Sequence, residues 1–363
     1  MTVRATRLVE GLPANTPFIG PERLMRENGH RELVRLGANE SSFGPSPRAV
    51  EAMSAELERL SWYGDPDSYA LRERLAAGHG CAIEQIVVGS GIDDLMGLTV
   101  RAFVEIGGRA VAARGTYPTF AYHVAGYGGA LETAPYTNEG EPDLEALAAL
   151  AQRTGASVVY LANPDNPSGS FIDCRRVRAL YESLPAQTLL LLDEAYADFV
   201  DREHLLEPFF EDRLIRVRTF SKAYGLAGAR IGYALTTQHN AELFERIRLQ
   251  YGVNRNAQVG ALAALADEAH LRWVVAETAA SRRAYEALAR ELGTSTIPSQ
   301  ANFVCIDMGD VRRATEVMQD LLLQGVWVRK PGAPPLDRYI RVSAGTAPMR
   351  EAFARALRIA LAR

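Results

Sequence analysis

TLLLLDEAYADF (Thr188–Phe199) begins as an unbroken aliphatic run and breaks into polar residues where the run stops; LIRVRTFSKAYGLAGARIGY (Leu214–Tyr233) likewise opens on a strand-like run, there carrying Arg216 and Arg218, before its polar segment. Runs of that length with no polar alternation suit strands covered on both faces, as in a parallel sheet between two helical layers. Working outward, the same signature recurs at Ile86–Gly89, Ala110–Ala113 and Ser157–Leu161, beside Thr188–Leu192, Leu214–Arg218 and Ile231–Leu235. Helical periodicity separates several of them, at Leu95–Val104, Asp143–Gln152 and Arg175–Ser183, and precedes them from Pro47 and again from Ser68. The pattern predicts an α/β fold: a large three-layer α/β/α domain over residues 47–250 with a mostly parallel sheet. Residues 1–46, with Pro13, Pro17, Pro21 and Pro45, read as an extended arm. Beyond Leu235 the order changes. Ala241–Gln250 and Ala257–Leu292 read as helices, then Ala301–Ile306, Val311–Leu323, Val326–Arg329, Tyr339–Val342 and Pro348–Leu361 as strand, helix, strand, strand, helix. A smaller α+β domain over residues 251–363, joined by the arm, is the expectation.

Composition agrees with two domains and narrows the function. The chain has 363 residues, 47% hydrophobic and 23% charged, with a formal charge of −4. No basic excess exists to displace counterions, so nucleic acid is not the expected partner. Cys81, Cys174 and Cys305 are widely spaced and form no CxxC pair, which argues against a disulfide scaffold or a cysteine zinc site. The first residues, with Arg4, Arg7 and Glu10, lack the apolar core of a signal peptide, and no apolar run is long enough to span a membrane. A cytoplasmic protein without membrane contact is expected.

In an open α/β sheet, ligands bind beyond the carboxyl ends of the strands. Four such ends here carry polar groups: Ser90-Gly91-Ile92-Asp93-Asp94, Asn163-Pro164-Asp165-Asn166-Pro167-Ser168-Gly169, Asp193-Glu194-Ala195-Tyr196, and Thr219-Phe220-Ser221-Lys222 running on to Arg230. Each alone is ordinary, as a turn, an N-cap or a solvated charge. Their convergence on one sheet edge is the informative feature. Competing readings fail on spacing. A dinucleotide fingerprint needs a third glycine where Asp94 stands, no GxxxxGK[ST] phosphate loop occurs, and Ser168 and Ser221 lie in no GxSxG elbow. His30, His79, His123, His204, His239 and His270 form no HExxH, so no metal site is expected.

The set GANESSFGPSP (37–47), WYGDPDSYALRERLA (62–76), SGIDD (90–94), NPDNPSG (163–169), DEAYADF (193–199), TFSKAYGLAGARIGY (219–233) and IRVSAGT (340–346) resembles the fold-type I pyridoxal-phosphate aminotransferases, in particular their histidinol-phosphate aminotransferase-like branch. The resemblance covers nearly the whole chain and implies pyridoxal 5′-phosphate as cofactor, small-molecule amino acid and 2-oxo acid substrates, and a ping-pong transamination. It implies Lys222 as the lysine that condenses with the cofactor aldehyde and then shuttles a proton. Asp193 pairs with the pyridine nitrogen, and Tyr196 and Asn166 hydrogen-bond the phenolic oxygen. The phosphate rests on the amides of Gly91, Ile92 and Asp93, with Ser221 and Arg230 completing the cradle. Tyr117 stacks on the ring. Tyr63 matches a tyrosine that reaches the neighbouring subunit's phosphate, which implies a homodimer with shared active sites.

For the substrate, the resemblance implies Arg341 as the grip on the α-carboxylate and places Asn39 on the substrate side of the arm. Arg329, in VWVRK, matches a second arginine near a distal phosphate, although a solvated strand-end charge looks the same in sequence. In TPFIGPERL, Phe18 stands where the branch has a tyrosine that helps bind the substrate phosphate. One missing hydrogen bond to a charged group costs about 1.5–3 kcal/mol, enough to shift preference. Histidinol phosphate and an aromatic or other amino acid therefore both stay open as donor. A decarboxylase of the threonine-phosphate type shares the fold and remains the alternative. A non-catalytic cofactor-binding module is more remote, since the arm has no helix-turn-helix periodicity.

Overall fold

The computed structural model describes residues 3–13, 19–29, 32–207 and 209–362. Eleven strands appear among them: β1 (Val34–Arg35), β2 (Ile86–Gly89), β3 (Arg109–Ala113), β4 (Ala130–Ala134), β5 (Val158–Ala162), β6 (Leu189–Asp193), β7 (Leu214–Thr219), β8 (Gly232–Leu235), β9 (Phe303–Asp307), β10 (Val326–Trp327) and β11 (Tyr339–Ser343). Seven of them form one sheet in the order β2-β8-β7-β6-β5-β3-β4. Only β8 runs against its neighbours, pairing antiparallel with both β2 and β7.

The aliphatic strands are buried on both faces, as their composition requires. Val158, Tyr160, Leu189, Leu191, Ile215 and Val217 point to one side, where helix Ile92–Phe103 covers them. Val159, Leu161, Leu190, Leu192 and Leu214 point to the other, under helices Leu144–Thr154 and Cys174–Ser183. Strict alternation thus delivers successive residues to opposite layers. Where the strands end, the same alternation aims Asp193 at the first face and Glu194 at the second.

The smaller sheet pairs β9 antiparallel with β11, and its cluster gathers Leu36, Tyr285, Val304, Ile306, Val342 and Phe353. Helix Glu268–Glu291, about 36 Å long at 1.5 Å per residue, connects the two regions.

Several expectations are corrected. The arm is not extended throughout: it holds helices Arg7–Glu10 and Pro21–Asn28, and β1 pairs parallel with β10. Strand β4 and helix Pro118–Gly126 went unread because their sequences, ALETA and PTFAYHVAG, lack clear periodicity. The long alanine-rich helix is two, Arg255–Ala266 and Glu268–Glu291, because Asp267 turns to cap the second and accepts from Ser46 Oγ at 2.5 Å. The first of these, placed by composition after residue 250, packs in a cluster with Ala49, Leu71, Ile86 and Val88 beside the large sheet. The expected strand Val326–Arg329 is only Val326–Trp327, and the expected helix Ala241–Gln250 is Gln238–Glu245.

Candidate active site

A cavity of about 260 Å³ opens at the carboxyl ends of the parallel strands, bounded by Ile92, Asp93, Tyr117, Asn166, Asp193, Tyr196, Ser221, Lys222 and Arg230. Adjacent strands bring their ends together: Ala162 pairs with Asp193, and Asp193 with Val217, so the loops that follow β5, β6 and β7 share one rim.

One end of the cavity suits an anion. Helix Ile92–Phe103 begins there, and no side chain caps its first turn, which leaves amide donors for a ligand. Gly91 sits at φ +91°, and a Cβ on it would lie 2.7 Å from Arg230 Nη2. Glycine is needed there for conformation and for space alike. Arg230 is itself held in the left-handed region at φ 60°, a cost paid to aim its guanidinium. Nη1 donates to Ala227 O at 3.0 Å and Nη2 lies 3.7 Å from Asp93 Oδ2. Tyr117 OH donates to the other Asp93 oxygen at 3.0 Å. Ser221 Oγ accepts from Thr219 Oγ1 at 2.9 Å.

The centre is drier. Asp193 is 4% exposed, and burial pushes its carboxyl up to about 6 although Tyr160 OH and the Ala195 amide donate to it at 2.7 and 3.0 Å. Burial, with help from the Arg341 cation, draws the Lys222 ammonium down to about 8. Its Nζ donates to Asn39 O at 3.2 Å. Burial pushes the Tyr196 phenol up to about 12, and its oxygen accepts from Asn39 Nδ2 at 3.0 Å and Asn166 Nδ2 at 3.4 Å. Asn39 takes a left-handed φ of 55° to make these bonds. A lysine poised between amine and ammonium, facing a carboxylate in a dry cleft, is equipped for proton transfer.

Arg341 enters from the smaller sheet. Nη1 donates to Asn166 Oδ1 at 2.6 Å and Nη2 to Gly37 O at 3.2 Å, while its buried Nε has no hydrogen-bond partner. An orphaned guanidinium donor in a dry wall is a receptor for an anion. Arg329 bridges Arg341 through the main chain, and its Nη2 donates to Ile19 O at 2.9 Å. Neither Arg329 nor Arg341 lines the cavity itself; Arg341 and Asn39 touch it through their bonds to Asn166 and Tyr196. Tyr63, 75% exposed and stacked on Tyr251 at 4.5 Å, does not reach the cavity of its own chain. Phe18 lies outside the described residues. Glu40 and Thr219 also line the cavity; both stand in segments that the sequence singles out, GANES and the strand end Thr219–Lys222, but without a role of their own. Sequence reasoning missed Tyr160, whose signal is the one hydroxyl in VVYLA.

A family model for class I and II aminotransferases matches residues 31–357. This chain is a member of that family. Histidinol-phosphate aminotransferase 1 of Dechloromonas aromatica is 37% identical over 347 residues, covering 93% of each chain. The histidinol-phosphate aminotransferase of Methylobacillus flagellatus is 36% identical over 354 residues, covering 94% of each. The histidinol-phosphate aminotransferase of Sinorhizobium meliloti, solved in complex with pyridoxal-5′-phosphate, superposes with a TM-score of 0.96 at 42% identity, covering 100% of this chain and 98% of that one. The expected fold-type I architecture stands with these neighbours.

Behind the cavity, on the opposite face of the sheet, Glu194 accepts from Arg216 Nη2 at 2.8 Å and Arg218 Nε at 2.9 Å. The two guanidiniums outweigh burial and hold its carboxyl well below the usual range. Glu194→Ala strands two buried cations, so unfolding free energy from urea titration is expected to fall by about 3–5 kcal/mol. A loss under about 1 kcal/mol, the size of an exposed pair, would show that water already screens the cluster.

Proposed function

We propose that this aminotransferase uses pyridoxal 5′-phosphate to move an amino group between an L-amino acid and a 2-oxo acid such as 2-oxoglutarate, donor and acceptor binding in turn. The observation that carries the reading is one cavity holding a buried amine drawn down to about 8, a buried carboxylate and an uncapped helix terminus with an arginine beside it. That donor set matches the cofactor's aldehyde, pyridine nitrogen and phosphate in number and kind. When bound, the cofactor supplies an aldehyde carbon for the substrate nitrogen and a pyridinium ring that withdraws electrons from Cα.

The chain's own groups do the rest. Gly91, Ile92 and Asp93 offer amides, and Ser221 and Arg230 side-chain donors, to the phosphate. Tyr117 covers the ring face. Asp193 accepts from the pyridinium N–H and keeps it charged, which an amide could not do comparably. Tyr196 and Asn166 donate to the phenolic oxygen. Lys222, once its nitrogen is freed, would take the proton from the substrate Cα and hold it for delivery to the cofactor's aldehyde carbon, on the other side of the transferred nitrogen. Arg341 binds the α-carboxylate with its unpartnered Nε and orients the Cα–H bond. Asn39 holds Tyr196 and Lys222 in place from the substrate side.

The relatives' names favour histidinol phosphate as donor, and Arg329, bridged to Arg341 through the main chain, is a cation that could meet a distal phosphate. A homodimer is part of the same reading. Tyr63 and Tyr251 belong to an exposed apolar group with Leu60, Trp62 and Leu249, the kind of surface that a second copy covers.

The test is a donor screen on holoenzyme, reading each half-reaction as a change in the cofactor's visible absorption. Histidinol phosphate is expected to react and 2-oxoglutarate to restore the starting spectrum. Arg341→Ala is expected to raise KM about 100-fold for every amino acid, the scale of removing one partner of a buried charge pair. Arg329→Ala is expected to raise KM only for donors with an anionic tail. Carbon dioxide released in place of a transferred amine would mark a decarboxylase and end the proposal.

A further inference from the structure

Tyr160 lies in the middle of β5 and is 1% exposed. Its neighbours along the strand, VV and LA, are aliphatic. Its ring lies flat against Phe120, centroids 4.8 Å apart and planes within 15°, in the cluster beneath helix Ile92–Phe103. Tyr160 pairs with Leu191, two residues before Asp193 and on the same face, and its phenol reaches up that face to donate to Asp193 Oδ2 at 2.7 Å. Phenylalanine would fill the same slot, and packing alone asks for no oxygen there. A buried hydroxyl is costly unless bonded, and the partner here is the carboxylate of the site.

We propose that Tyr160 is a positioning residue for the transamination: its hydroxyl fixes Asp193 Oδ2 and keeps that carboxylate ionised and aimed at the cofactor's ring nitrogen. The inference rests on the function proposed above. With Oδ2 held by Tyr160 and Oδ1 by the Ala195 amide, the carboxylate cannot rotate, and each oxygen keeps a lone pair for the ring N–H. The groups that act on Asp193 divide by sign. Burial and the Asp93 carboxylate at the helix start disfavour its charge; Tyr160 from β5, the Ala195 amide and Lys222 beyond β7 favour it. Deleting the hydroxyl therefore moves Asp193 toward its neutral form, which cannot hold a pyridinium.

The experiment compares wild type, Tyr160→Phe and Asp193→Asn as holoenzymes loaded with pyridoxal 5′-phosphate labelled with nitrogen-15 in the ring. In Tyr160→Phe the acid limb of the kcat/KM profile is expected to move up by about one pH unit or more, the size of losing a hydrogen bond to a charge. Activity is expected to recover at alkaline pH. The nitrogen-15 resonance at neutral pH is expected to move part of the way from wild type toward Asp193→Asn. A pH-independent loss, or an unmoved limb and resonance, overturns the inference. If Asp193→Asn itself leaves the resonance and kcat unchanged, the reading of Asp193 fails, and this inference with it. If Asp193→Asn responds and Tyr160→Phe does not, only the role of Tyr160 fails. Should Tyr160→Phe not fold, 3,5-difluorotyrosine at position 160 is a stronger donor of nearly the same shape, and must move the limb downward; an unmoved limb overturns the inference.

Discussion

Lys222→Ala is expected to lower kcat by about 10⁴-fold or more, the upper end of what a positioned proton-transfer group contributes, while the fold and cofactor phosphate binding survive. The side chain makes one hydrogen bond, to Asn39 O, and that oxygen also accepts from Asn302 Nδ2 at 3.0 Å, so removing the lysine leaves no acceptor unmet. Function and stability should therefore separate. Single-turnover mixing of holo variant with amino acid checks it: formation of the substrate complex should persist and proton transfer should stall. Small primary amines added to the buffer should restore part of the rate by entering the space vacated. The pH dependence follows from the environment. Because burial draws Lys222 to about 8, the fraction of neutral amine grows as pH rises through that value. Capture of free pyridoxal 5′-phosphate by the wild-type apoprotein should accelerate over the same range. Turnover by Lys222→Ala within tenfold of wild type would sink the assignment.

Asp193→Asn should give the second largest effect, a kcat lower by about 10²–10³-fold, as when a preorganised charge partner of the transition state is removed. Asparagine keeps the shape, but its single oxygen can accept from only one of Tyr160 OH and the Ala195 amide, which reach different carboxylate oxygens in the wild type. The stability of the apoprotein should move the other way. The Asp193 pKa is raised in the fold to about 6 from an ordinary 3.8, so ionising it costs the folded state more than the unfolded one. The wild type thus loses stability from this group as pH rises from 3.8 through 6, and an uncharged amide does not. Unfolding free energy of the variant relative to wild type is expected to climb across that interval and level off above it. A kcat unchanged by the substitution would refute the pairing with the ring nitrogen. A relative stability flat with pH would refute the buried charge.

The two effects show why a carboxylate that weakens the empty protein is kept. The same holds for the left-handed backbone of Asn39 and Arg230. Three non-glycine residues adopt positive φ among those described, and two of them border this site. Strain and buried charge gather where geometry must be held for chemistry rather than for folding.

What could be read from the amino acids alone was whatever rests on short-range pattern. LLLLD announces a doubly buried strand because alternation is absent, whereas LIRVR alternates and reads as a strand by its period of two. The residues that follow them announce chemistry because a strand end in a parallel sheet has few other reasons to carry Asp, Lys and Asn together. Strand β4 and helix Pro118–Gly126 escaped because their burial is set by neighbours distant in sequence, not by a repeat within them. Long-range placement belonged to the tertiary structure. The break at Asp267 depends on Ser46, over two hundred residues away, and Arg341 reaches Asn166 only because the smaller sheet folds back over the large one. Tyr160 is the clearest case. In sequence it is one aromatic residue in an apolar strand; in the fold, register and a stacked phenylalanine bring its hydroxyl to Asp193, because hydrogen bonds are made in space between residues that share no local pattern.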